Sequence, residues 1–130
     1  MSDIREAGFG RATTAVTIVT TTEAVAVTSE IIKVTRRGMR ALIFAFIEVD
    51  SGTATTAITG RIRAGKAITG TLISEAIAEE TTAALAETWV VSAVDELGDV
   101  DEVSYSATIQ QTAASANGTI DNATIIVLLF

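Results

Sequence analysis

The stretch Arg40-Ala41-Leu42-Ile43-Phe44-Ala45-Phe46-Ile47-Glu48-Val49 decides how the rest of the chain folds. Seven consecutive apolar residues, Ala41 to Ile47, leave no polar face, so the segment calls for cover on both of its sides. Phe44 and Phe46 are two of only four phenylalanines in the chain. The run is too short to cross a bilayer, and too β-branched and aromatic to favour a helix. What remains is a central strand, packed above and below.

A second run without a polar face, Thr124-Ile125-Ile126-Val127-Leu128-Leu129-Phe130, ends the chain, and its natural place is beside the first. Between the two runs, apolar residues alternate with polar ones. Val16 and Ile18 stand among threonines, as do Val25 and Val27. Ile58 and Ile62 are set against Thr59, Arg61 and Arg63, and Trp89, Val90 and Val91 mark a further strand. The cleanest alternation runs from Val103 to Gln111, with Val103, Tyr105, Ala107 and Ile109 inward and Ser104, Ser106, Thr108 and Gln110 outward. Turn signals separate the segments: Arg36-Arg37-Gly38, Asp50-Ser51-Gly52, Ala64-Gly65-Lys66 and Asn117-Gly118. Gly70, inside an apolar segment, signals a bulge or a close backbone approach. Ala76 to Leu85 reads as a loop with one helical turn.

The fold class expected is all-β: a β-sandwich of about eight strands, with a jelly roll favoured over an immunoglobulin-like arrangement. The latter would call for a cysteine pair around a tryptophan, and the chain has no cysteine. Residues 1 to 12, polar and without a strand period, read as an N-terminal arm, and residues 13 to 130 as one sandwich domain.

Composition sets limits on function. Of the 130 residues 48% are hydrophobic and only 5% aromatic, with no proline, cysteine or histidine. So apolar a single domain has more greasy surface than one small core can hide, and the excess is expected to face other subunits. A formal charge of −7 argues against nucleic acid or an anionic membrane as partner. The start, Met1-Ser2-Asp3-Ile4-Arg5-Glu6, has neither a basic region nor an apolar core of a secretory leader, so synthesis in a cytoplasm is expected. All nine basic residues lie between Arg5 and Lys66, and the ten carboxylates beyond Lys66 meet no Lys or Arg there. If the strands segregate as the halves do, one copy's basic surface would meet the next one's acidic surface.

Reactive chemistry is scarce. With His and Cys absent, Ser-His and Cys-His nucleophiles are excluded. Lys33 and Lys66 read as solvated cations at strand or turn edges. Glu48 could serve a carboxylate pair for glycoside hydrolysis, but its plainer role is to pair with Arg61 or Arg63, or to reach water. The acidic loop from Asp95 to Glu102 could offer Asp99, Asp101 and Glu102 to calcium, although it does not match the EF-hand spacing. No cofactor fingerprint is present, and no enzymatic activity is expected.

Ala41 to Val49, then Arg61-Ile62-Arg63-Ala64-Gly65 with Thr69-Gly70-Thr71-Leu72, and then Tyr105 to Thr112 with Asn117-Gly118-Thr119 and the apolar C-terminus, resemble the small Thr/Ala/Val-rich jelly-roll proteins of tailed phages and related viruses. The strand distribution also resembles compact trimeric jelly rolls of the tumour-necrosis-factor and complement head type. The resemblance implies a virion structural component, either a capsid decoration or cement protein or a spike or fibre head. Such a protein would be a homo-oligomer, with a trimer favoured, that binds a major capsid or other virion protein. Phe44, Phe46 and Phe130, with Arg5, Arg11, Arg36, Arg37, Arg40, Arg61 and Arg63, are then the expected assembly residues. A calcium- or carbohydrate-binding sandwich and a self-assembling filament subunit are the alternatives.

Overall fold

The computed structural model describes residues 6–12, 16–17, 22–50, 58–78, 86–111 and 118–130. Among them lie the strands β1 (Glu6–Ala12), β2 (Val16–Thr17), β3 (Ala24–Thr28), β4 (Ile32–Lys33), β5 (Arg40–Asp50) and β6 (Ile58–Ala64). These are followed by β7 (Leu72–Ala78), β8 (Ala86–Glu96), β9 (Glu102–Val103), β10 (Tyr105–Gln111) and β11 (Thr119–Leu129). Of the loop with a helical turn expected over 76–85, residues 76–78 are instead the end of β7, and 79–85 lie outside the described residues, as do the Ile18 position and the Asn117 half of the hairpin signal.

Two antiparallel sheets carry the fold. One has the order β1-β11-β5-β8, with β2 also on β11, and the other the order β3-β10-β6-β7. The pairings β1·β11, β3·β10, β5·β8 and β6·β7 nest one inside the next along the chain. A ribbon of nested antiparallel pairs, wound so that alternate pairs fall in opposite sheets, is a jelly roll. The expected fold class is the one observed. The short pair β4·β9 closes one end, with Ile32 opposite Val103 and Lys33 opposite Glu102.

The two all-apolar runs are neighbours, as their composition demanded. β11 lies along β5 in a register that places Leu128 opposite Leu42, Ile126 opposite Phe44 and Thr124 opposite Phe46. Once the second sheet lies on one side of them, an alternation invisible in the sequence appears. Ala41, Ile43, Ala45, Ile47 and Val49 are buried, as are Ala123, Ile125, Val127 and Leu129. They meet Ile58, Ile62, Ala107, Ile109 and Tyr105 from the other sheet in one core. Each buried isoleucine there contributes roughly 1.5–3 kcal/mol over its exposed state.

Polar bonds tie the two sheets where they meet. The Tyr105 hydroxyl donates to Asp95 Oδ2 at 2.7 Å, from β10 to β8, and the Ser74 hydroxyl donates to the Ser92 carbonyl at 2.9 Å, from β7 to β8. Burial and the Asp95 carboxylate push the Tyr105 phenol well above its ordinary pKa, so it stays a donor.

The N-terminal stretch differs from the expectation of an arm. Residues 6–12 form the strand β1, zipped antiparallel along β11 from Glu6 opposite Leu129 to Ala12 opposite Ala123, within the same domain. At Gly10 an added Cβ would stand 1.7 Å from the Thr28 carbonyl oxygen, so β1 crosses β3 at a distance only glycine permits. The polar composition hid this strand because its fit relies on backbone approach rather than on side chains. Gly70 makes a similar close approach, to the Ala64 carbonyl at the β6–β7 turn, as its position in the sequence suggested.

Candidate assembly surface

The outer faces of the two sheets are unlike. Outward residues of β6, β7 and β10, with Glu23 just before β3, make a polar lattice on the second sheet. Arg63 grips Glu23 with two donors, Nε to Oε2 at 2.7 Å and Nη2 to Oε1 at 2.9 Å. Arg61 reaches Glu23 at 3.1 Å, Gln110 at 2.7 Å and Glu75 at 2.9 Å. The side chains of Glu23, Arg61 and Arg63 are only 12–17% exposed. Hydrogen bonds from Arg63, opposed by partial desolvation and reinforced by the charges of both arginines, hold the Glu23 carboxyl below its ordinary value of 4.5. In register beside the arginines, Ser106 and Thr108 point outward as expected yet are fully buried. The charged side chains of this face are paired with one another.

The outer face of the first sheet has the opposite character. β5 presents Arg40, Leu42, Phe44, Phe46 and Glu48, and β11 presents Asn122, Thr124, Ile126 and Leu128, with Phe130 just beyond. Phe130 and Arg40 exchange two backbone hydrogen bonds of 2.9 and 3.0 Å, which puts them side by side. β8 adds Thr88, Val90, Ser92 and Val94, because Val94 pairs with Leu42 and Val90 with Phe46. Val94 is 57% exposed, Val90 54% and Phe46 41%. Among the outward residues of β5 and β8 charge appears only at the ends, where Arg40 pairs with Glu96 at 3.4 Å and Glu48 accepts a hydrogen bond from Asn122 of β11 at 3.4 Å. Between them Leu42, Phe44, Phe46, Val90, Val94, Ile126 and Leu128 face outward over three strands, with Ser92 and Thr124 among them.

The residues expected to form an assembly surface divide between these places. Phe44, Phe46, Phe130 and Arg40 come together on the apolar face. Arg61 and Arg63 belong to the polar lattice on the opposite sheet, and Arg37, in the turn before β5, pairs with Asp99 at 3.2 Å. Arg36 is exposed in the same turn. Arg11 lies in β1, opposite Thr124, and Arg5 lies outside the described residues. Sequence reasoning missed Val90 and Val94, whose outward position follows from pairing with β5 rather than from local pattern. Tyr105 and Ile109, expected inward, are core, Trp89 is half-buried against it, and Leu42, Phe44, Phe46, Ile126 and Leu128, members of the two apolar runs, face outward.

Two further expectations are corrected. Glu48 does not meet Arg61 or Arg63, since they stand on opposite outer faces of the sandwich. Nor do the charges segregate by sequence half, because Arg37–Asp99, Arg40–Glu96 and Arg61–Glu75 pair early basic residues with late acidic ones inside one molecule. The acidic loop lines a cleft of about 460 Å³, to which Asp95, Glu96 and Glu102 contribute together with the apolar Ile73, Leu97 and Val103. Among the described residues no three carboxylates converge as metal ligands would.

No protein-family model matches the sequence, and no curated protein matches it. Among solved structures, the chain is similar to a Bacillus endospore appendage protein of a family described as disulfide-linked pili. The identity is 16% and the TM-score 0.44, over 98% of this chain and 94% of that one. It is also similar to murine APRIL, at 11% identity and a TM-score of 0.45, over 93% of this chain and 98% of that one. Likenesses at this level carry no argument about function, and the jelly-roll assignment rests on the strand order alone. Disulfide linkage in particular is closed to a chain with no cysteine.

Proposed function

We propose that this protein is a structural subunit that works by associating with copies of itself through the outer face of the β1-β11-β5-β8 sheet, as a component of a virion surface. The observation that carries the self-association is the contrast between the two outer faces. One sheet satisfies its outward charges internally, while the other leaves Leu42, Phe44, Phe46, Val90, Val94, Ile126 and Leu128 uncovered or half-covered. The face extends roughly 25 Å along the strands and roughly 15–20 Å across them, from the usual rise and strand spacing. Covering about 400 Å² of apolar surface on each of two copies, about 800 Å² in all, would contribute on the order of 20 kcal/mol before the cost of association, itself about 4–15 kcal/mol, and before the ordering of side chains in the contact. The face therefore favours association of useful but not extreme strength.

A twofold arrangement sets this face against itself, whereas the trimer implied by the resemblance to compact trimeric jelly rolls would set it against a different surface of the next copy. The virion setting, with a capsid protein as the further partner, is supported by the resemblance of the segments quoted above. Size exclusion with light scattering tests the self-association. A discrete homo-oligomer is expected for the wild type, and a folded monomer for Phe46→Glu; a wild-type monomer at every concentration would contradict the reading. Mass spectrometry of purified particles tests the setting: the chain is expected at stoichiometric amounts, and its absence from particles would remove the virion role.

A further inference from the structure

We propose that the apolar face is covered by the same face of a second copy, turned end for end about a twofold axis that lies in the interface, perpendicular to the strands, at the level of Phe44. This rests on the self-association proposed above and adds its symmetry and its contacts.

The argument comes from the row that β5 turns outward: Arg40, Leu42, Phe44, Phe46, Glu48. A cation stands at one end, an anion at the other, and three apolar side chains between. Reversal about Phe44 sets Arg40 over the second copy's Glu48, Leu42 over its Phe46, and Phe44 over itself. The same rotation keeps β8 over β8 and β11 over β11. Because Ser92 lies beside Phe44 in register, it sets Val90 over Val94, the two most exposed of the large apolar side chains described. It likewise sets Ile126, the β11 partner of Phe44, over itself.

The alternative twofold, parallel to the strands, would oppose Arg40 to Arg40 and Glu48 to Glu48. Like charges facing each other at both ends of an apolar interface are unfavourable, so the charges choose between the two symmetries. Arg40 is free to take the new partner: its side chain is 56% exposed, and its contact with Glu96 is a loose 3.4 Å. Two sheets packing face to face within about 30° of alignment is an ordinary arrangement for β-layers. With all four strands of the sheet covered, the footprint is roughly 500 Å² per copy, or about 1,000 Å² in total, the least that a specific interface needs.

Charge reversal read by sedimentation equilibrium tests this. The wild type is expected to be a dimer. Arg40→Glu and Glu48→Arg are each expected to weaken dimerisation about tenfold, and the double variant Arg40→Glu/Glu48→Arg to bind at least threefold more tightly than either single one. Both positions are at the surface, and circular dichroism is expected to show all variants folded. A trimer, or a double variant no tighter than the singles, would overturn the twofold pairing while leaving self-association through the face in place. A monomer throughout would overturn both.

Discussion

Phe46 and Ile47 are adjacent in β5 and meet different surroundings. Ile47 is fully buried in the core, and Phe46 is 41% exposed on the outer face. Ile47→Ala is expected to cost about 2–5 kcal/mol of folding stability, from lost transfer energy and the cavity left behind. Phe46→Ala is expected to change the stability of the separated chain by less than about 1 kcal/mol while weakening association. Urea denaturation beside a dilution series separates the two quantities. The sequence displays this pair as two equal members of one apolar run, because burial is assigned by the sheet that lands on one side and not by residue type.

Glu23 offers a second test at the same scale. Its carboxyl titrates below 4.5 in the folded protein, so the unfolded chain binds the proton more readily. The stabilisation is therefore complete above about pH 4.5 and is lost as the pH falls through the folded value. Glu23→Gln is expected to cost about 1–2 kcal/mol at pH 7, where Arg61 and Arg63 lose a charged acceptor. It is also expected to flatten the acid limb of the stability profile. An unchanged acid limb would show that the carboxylate is not clamped as described.

Among the elements, β5 and β11 were the most legible, since two runs with no polar face have few places to go except beside each other. β10 was legible through its alternation, and its inward row of Tyr105, Ala107 and Ile109 is buried as read. β1 was not. Its register along β11 depends on Gly10 lying against the Thr28 carbonyl, and no hydrophobic pattern announces a backbone contact. Gly10→Ala is expected to destabilise by about 1–3 kcal/mol, as overpacking does, and to raise hydrogen exchange along β11, where β1 covers the edge. Unchanged exchange at Ile125 and Val127 would mean that β1 does not hold this seat.

At the scale of the molecule, ion pairs between early basic and late acidic residues remove the condition under which one copy's basic surface would meet the next one's acidic surface. Winding a ribbon of nested pairs brings late strands beside early ones, so Arg40 of β5 finds Glu96 of β8 within one chain. What distinguishes the two sides of the sandwich is a lattice of paired charges on one outer face and uncovered apolar side chains on the other. The composition foretold an excess of apolar surface but not its location, which needed the pairing of β8 with β5 to bring Val90 and Val94 beside Phe46 and Leu42.

The central claim is that copies of this chain cover one another's exposed sheet. Sedimentation of the wild type over micromolar concentrations tests it most directly. A reversible species at twice the 13.5 kDa chain mass, lost on Phe46→Glu, is the expected result, and a 13.5 kDa monomer at every concentration would contradict it.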